Sequence, residues 1–231
     1  MVEESPESVE VAEAAAAAAA ADGPPLRIFG YGSLIWRPGF PYSGRIVGFA
    51  PGFKRRFYQG SVWHRGTPDL PGRVATLLPD PECCTWGVLY EVSGAESVLA
   101  AMAHLSEREA RLGGYRLRRV TFRPLSAPST TPPPDITAFT YVAEPDNRRY
   151  LGEAGLDRQA RQVAMATGRA GANADYVRGV ARFMACEVPD GPAQDRHVAE
   201  LARLADTAMV ELTRPSPMPA PSALSSLAMA P

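Results

Sequence analysis

Ile28-Phe29-Gly30-Tyr31-Gly32-Ser33-Leu34 reads as a β-prone run that stops in a tight glycine turn. Two glycines around one aromatic residue let backbone N–H groups point into a common space. Such a nest holds a carboxylate or a developing oxyanion. An ordinary β-turn is the plainer reading of the same residues. The segment is not a dinucleotide fingerprint, because Trp36-Arg37-Pro38 stands where a third glycine and a helix are needed. Nor is it a G-x-S-x-G elbow, since Tyr31 and Ile35 occupy the glycine positions around Ser33. A hydrolase built on Ser33 and His64 therefore has no motif behind it.

Outward from this turn, residues 26–29, 45–49, 53–59, 73–78 and 85–92 read as strands punctuated by proline and glycine. A helix is expected over 95–112, ended by Gly113-Gly114. Residues 115–122 and 136–142 read as strands on either side of a Pro/Ser/Thr-rich loop. Helices are expected over 157–167, 173–186 and 193–212, with Asp157 and Asn173 as N-caps. A β-rich front half around one helix, followed by a helical back half, predicts an α+β fold, a small barrel with helices packed outside.

The chain has 231 residues and a net charge of −1, so composition offers no basic footprint for nucleic acid or an anionic membrane. No apolar run is long enough to span a bilayer. Residues 1–25 form an acidic, alanine-rich leader that fits neither a secretory signal nor a transit peptide; a disordered segment or a frayed helix is expected. Residues 213–231 form a Pro/Ser/Ala-rich tail, also expected to be disordered. One domain over 26–212 is expected to fold and work without either end. Cys83, Cys84 and Cys186 make a poor disulfide framework and fit a reducing, cytoplasmic setting. His64, His104 and His197 lack metal-ligand spacing, so no metal is expected.

Within the 95–112 helix, Val98, Met102, Leu105 and Leu112 fall on one stripe at about 100° per residue, and Glu109 sits in the middle of it. Glu107 and Glu96 lie nearly opposite. An unpaired carboxylate on a core stripe costs several kcal/mol or takes up a proton. Either outcome suits a general acid or base. Two structural readings stand beside this one: a salt bridge to Arg116, Arg118 or Arg119, or solvation because the stripe ends before Gly113.

Further segments join the glycine turn in a fixed order. They are Phe53-Lys54-Arg55-Arg56-Phe57 with Gln59-Gly60-Ser61, His64-Arg65-Gly66-Thr67-Pro68, Pro71-Gly72-Arg73-Val74 and Trp86-Gly87-Val88. Arg108-Glu109-Ala110 ahead of Gly113-Gly114-Tyr115 follows, then Tyr150-Leu151-Gly152 and Gly171-x-Asn173-x-x-Tyr176. Together, over 28–188, the chain resembles the ChaC family of glutathione-specific γ-glutamylcyclotransferases. The resemblance implies a γ-glutamylcyclotransferase-like small mixed β-barrel with flanking helices. It implies Glu109 as the catalytic residue, and a loop of Ile28, Phe29, Gly30, Tyr31, Gly32 and Ser33 that cradles the γ-glutamyl part of glutathione, the small-molecule partner.

The chemistry follows from the substrate. Its α-ammonium loses a proton and attacks its own γ-amide carbonyl, closing 5-oxoproline and releasing Cys-Gly. The reaction is intramolecular, so the protein mainly holds the folded-back conformer. Glu109 takes the amine proton and returns it to the leaving nitrogen. Backbone N–H groups from Tyr31 to Leu34 hold the oxyanion. No cofactor is required. Arg65 is the candidate for a substrate carboxylate, with a structural ion pair as the alternative, and Arg73, Gln59, Ser61 and Tyr141 are weaker candidates. Cyclisation of other γ-glutamyl amides, or silent γ-glutamyl binding, are the competing functions.

Overall fold

The prolines and glycines that divide 45–59 and 73–92 into four short strands are absorbed, in the folded chain, by irregularities inside two long ones. The computed structural model describes residues 6–20, 23–125 and 134–214. In it, β1 spans Leu26–Gly30, β2 Gly44–Ser61 and β3 Gly72–Val92. β2 and β3 form one antiparallel ribbon whose register jumps from Pro51↔Cys84 to Phe53↔Pro79. Proline cannot donate to a ladder, so the ribbon bulges there, and Gly52 takes φ of 80° to turn the chain through it. The expectation of four separate strands is corrected to two.

β4, Arg116–Pro124, and β5, Ile136–Val142, pair antiparallel, and β4 also joins β2. The closed barrel runs β1-β3-β2-β4-β5 and is sealed by a parallel pairing of β1 with β5, Ile28 opposite Phe139. Thr140 Oγ1 reinforces the seam by donating to the Phe29 carbonyl at 2.7 Å. Closure gives each of the five barrel strands a neighbour on both sides. Phe29, Phe57, Leu89, Phe122 and Ala138 are fully buried, and Phe29 lies against Phe122 at 5.6 Å.

Of the remaining helices, α2 spans Ala95–Leu105, α3 Leu156–Met165, α4 Asn173–Glu187, α5 Gly191–Gln194 and α6 Arg196–Thr213. Asn173 does not cap α4. It is fully buried; its Oδ1 accepts from the Arg73 amide at 2.6 Å and its Nδ2 donates to the Arg73 carbonyl at 2.8 Å. The side chain thus pairs with β3 as a neighbouring strand would and docks the start of α4 on the barrel. Asp157 lies in the first turn of α3, after Gly155 at the cap position. The side chain that does cap is Asp195, which accepts from the Val198 amide at the start of α6.

The described part of the leader takes the second of the two forms expected for it, a helix, but one that is docked. Pro6–Ala19 is a helix, α1, docked on the barrel and on α2. Val11 is 4% and Ala18 0% exposed, the Ala18 carbonyl accepts from the Gly94 amide, and Glu10 pairs with Arg119. An alanine-rich helix presents little side-chain bulk, so its backbone lies close to the surface it covers. A chain beginning at Leu26 is expected to fold and keep its turnover but to lose about 2 kcal/mol of stability, the worth of one buried valine. Thermal denaturation of the shortened and full-length proteins checks this, and coincident melting curves would show that α1 contributes nothing. The tail over 215–231 and residues 126–133 of the Pro/Ser/Thr-rich loop lie outside the described residues. Among the described residues no helix is long and apolar enough to cross a membrane.

Candidate active site

The helix expected over 95–112 is α-helical only to Leu105. Ser106–Arg111 continues as a wider π-turn, in which the Leu112 amide donates to the Glu107 carbonyl five residues back. A wider turn changes the phase of every later residue, so the stripe of Val98 and Leu105 does not extend unaltered to Glu109. Glu109 lies on this wide turn. Gly114, at φ of 71°, then reverses the chain, and the Tyr115 amide returns to the Glu109 carbonyl at 2.9 Å. The Glu109 side chain is 15% exposed and lines a cavity of about 300 Å³.

Its ion partner is the residue beside it. Arg108 Nε lies 3.0 Å from Glu109 Oε1, while Nη1 donates to the Arg37 carbonyl at 2.8 Å and Nη2 to Ser33 Oγ at 2.6 Å. The nearby arginines expected as partners are engaged elsewhere: Arg116 with Glu144 and Asp146, Arg118 with Glu144, Arg119 with Glu10. Burial raises the Glu109 carboxyl above its ordinary range, and Arg108 offsets part of that rise.

Four phenols complete the wall. Tyr31 Oη donates to the Tyr141 carbonyl at 2.6 Å, Tyr115 Oη donates to the Ala75 carbonyl at 2.8 Å, and Tyr176 Oη accepts from the Ala75 amide at 3.0 Å. Burial pushes Tyr141 and Tyr176 up to about 12 and Tyr31 and Tyr115 well above the ordinary value, so all four stay neutral near pH 7. Gly32 is required by this packing, since a Cβ there would stand 2.6 Å from Tyr176 Oη. Tyr115 and Tyr176 were no part of the expected site, although both lie inside the ordered segments, in Gly113-Gly114-Tyr115 and Asn173-x-x-Tyr176.

Of the residues expected in the cradle, Phe29, Gly30, Tyr31, Gly32, Ser33 and Leu34 line the cavity. Ile28 is not among its lining residues; it is buried in β1. Ser33–Ile35 forms a single helical turn, and among the described residues the amides of Gly32, Ser33 and Leu34 donate to no protein acceptor. Ser33 Oγ is taken by Arg108, and no hydrogen bond joins it to His64 among the described residues. Arg65 lines the cavity, donating to the Ala172 carbonyl at 3.0 Å with its guanidinium 5.9 Å from the Tyr176 ring centroid.

Two weaker candidates turn out to hold the structure together. Arg73 is 4% exposed and committed to Gln162, the Phe57 carbonyl and the Gly152 carbonyl. Gln59 is fully buried and donates to the Gly113 carbonyl at 2.8 Å, which fixes the end of the π-turn. Ser61 and Tyr141 do line the cavity. Among the described residues no group of three His, Cys, Asp or Glu side chains is placed to hold a metal, and all three cysteines are free.

Residues 26–208 match the family model described as ChaC-like protein. A Homo sapiens protein named glutathione-specific gamma-glutamylcyclotransferase 1 is 48% identical over 182 residues, which cover 78% of this chain and 79% of that one. Gamma-glutamylcyclotransferase 2-3 of Arabidopsis thaliana is 38% identical, covering 76% of this chain and 85% of its own. Among solved structures, the yeast gamma-glutamyl cyclotransferase specific to glutathione superposes with a TM-score of 0.72 at 26% identity, over 80% of this chain and 97% of that one.

Proposed function

The chain belongs to the ChaC-like protein family, and from that premise we propose that it is a γ-glutamylcyclotransferase that cleaves glutathione to 5-oxoproline and Cys-Gly, with Glu109 as its acid–base residue. The observation that carries the assignment of Glu109 is its place: a buried carboxylate on the wall of the cavity that the glycine turn also lines.

The cavity performs three tasks. Its aromatic and glycine walls hold the γ-glutamyl group folded back, so that the α-amine stands over its own γ-carbonyl and the reaction is unimolecular. Glu109, a poorly solvated carboxylate and so a stronger base than one in water, accepts the ammonium proton and frees the lone pair for attack. The amides of Gly32, Ser33 and Leu34, without protein acceptors among the described residues, supply donors for the oxyanion of the tetrahedral intermediate. The proton held on Glu109 then passes to the departing nitrogen of Cys-Gly, the regenerated carboxylate takes the second proton from the new ring nitrogen, and that proton ends on the Cys-Gly amine, which leaves as an ammonium. Atoms balance without water, a metal or a redox partner. Arg65, on the same wall, is the candidate for a substrate carboxylate. Free cysteines fit a reducing compartment, and we place the reaction in the cytoplasm.

Purified protein incubated with reduced glutathione in buffer containing EDTA is expected to release 5-oxoproline and Cys-Gly in equal amounts. γ-Glutamyl-alanine run in parallel reads the substrate range. Failure to turn over any γ-glutamyl compound removes the enzymatic reading, and a γ-glutamyl amino acid turned over faster than glutathione moves the substrate assignment.

A further inference from the structure

Side chains at adjacent helical positions do not ordinarily face one another. Arg108 and Glu109 do: both lie on the π-turn, and Arg108 Nε stands 3.0 Å from Glu109 Oε1. The Arg108 side chain is only 16% exposed, and its three guanidinium nitrogens have three different partners: the Glu109 carboxylate, Ser33 Oγ and the Arg37 carbonyl. Two of those partners belong to the segment that leaves the glycine turn. One planar cation thus ties the acid–base carboxylate to the oxyanion side of the cavity.

We infer that Arg108 is a positioning residue, which sets the distance between Glu109 and the glycine turn and supplies the counter-charge to the Glu109 carboxylate. The inference rests on the assignment of Glu109 proposed above. The groups facing Glu109 from the surrounding elements leave Arg108 alone in this role. Tyr31 after β1, Tyr115 before β4, Tyr141 on β5 and Tyr176 on α4 are neutral near pH 7. His64 and His104 line the same cavity, and burial together with Arg108, joined by Arg65 and Arg37 at His64, lowers both, so they are neutral near pH 7 as well. Arg37 and Arg65 also line the cavity, and buried Arg55 interacts electrostatically with Tyr31 and Tyr176, but among the described residues none of the three is in ion-pair contact with Glu109. Arginine is needed because only a planar fork reaches three acceptors at once; a lysine ammonium keeps the charge and loses the geometry.

The test separates the two contributions. A base must be deprotonated, so the acid limb of the kcat/KM profile reports Glu109 in the free enzyme. Arg108 holds that carboxyl down, so Arg108→Gln is expected to move the acid limb of glutathione turnover up by about one pH unit. On the plateau above the limb, kcat is expected to remain about tenfold below the wild type through lost alignment, with KM little changed. Arg108→Lys is expected to return the limb to its wild-type position while kcat stays low. A folded Arg108→Gln protein with the wild-type limb overturns the inference. So does an Arg108→Lys protein whose limb moves as far as that of Arg108→Gln, because charge would then not be the cause. Should Arg108→Gln fail to fold, Arg108→Lys and Ser33→Ala decide the question: lowered kcat at an unmoved limb in both is expected, and wild-type kcat in both overturns it. Wild-type turnover in Glu109→Gln would overturn the base assignment itself, a result separate from all of these.

Discussion

Glu109→Gln is expected to lower glutathione turnover by at least ~100-fold, the low end for lost acid–base catalysis, while the fold is kept. The amide is nearly isosteric and its oxygen can still accept from Arg108, but it cannot take the ammonium proton. The stability side has a definite sign. Burial raises the folded-state value of Glu109 above that of the unfolded chain. The native state therefore holds the proton more tightly, and stability is lost as pH rises from the unfolded-state value through the raised one, where Glu109 ionises. Glutamine removes this cost, so the variant is expected to melt at or above the wild-type temperature. Glu107→Gln is the control, since the Glu107 side chain is 46% exposed and pairs with Arg111 on the outer face. Turnover at the normal rate in Glu109→Gln would sink the mechanism. Loss of the fold would mean instead that the Arg108–Glu109 pair is structural.

The largest effect on stability is expected from Asp195→Asn. Arg55 is fully buried, and its Nε lies 3.4 Å from Asp195 Oδ2. Its Nη2 donates to the Trp86 carbonyl, while Nε and Nη1 make no hydrogen bond among the described residues. Asp195 is thus the counter-charge that makes this burial tolerable. Asparagine still caps α6, so the change isolates the charge. Removing one partner of a buried pair costs about 3 kcal/mol, which for a chain of this size lowers the melting temperature by roughly 6–12 °C. Arg55→Met added to Asp195→Asn is expected to recover much of that loss, because the uncompensated cation is then gone. Melting of Asp195→Asn at the wild-type temperature would show that the pair carries no net stability.

What was legible in the sequence was local. β5 falls where its β-prone run puts it, over 136–142, and every residue from Ala138 to Val142 is buried, so both of its faces are covered. The β2–β3 ribbon was not legible as two strands, since proline and glycine signals do not reveal that a bulge will carry the chain past them. Glu109 was singled out by an α-helical period that stops at Leu105; the π-turn on which it lies has no sequence signal of its own. The contact between Arg108 and its neighbour was hidden for the same reason. Tyr115 and Tyr176 both reach Ala75, and Asn173 reaches Arg73, across separations that no periodicity links. The docking of α1 depends on a complementary surface contributed by α2, β1 and β4, and an alanine run by itself does not announce that surface.

The parallel seam between β1 and β5 has a consequence for biosynthesis. Its partners are far apart in the order of synthesis: Thr140 and Phe29 are separated by 111 residues. At ribosomal rates of roughly 5–20 residues per second, β1 waits on the order of 6–20 s for the strand that closes the barrel beside it. During that interval one edge of β1 is an open template for other chains, and the cost of closing so long a loop falls on the slow step of folding. Tyr176 and the rest of α4 follow later still, so the wall of the cavity is completed only after α4 has been made. A nascent chain that lacks α4 therefore lacks part of the proposed site, whatever the state of its barrel.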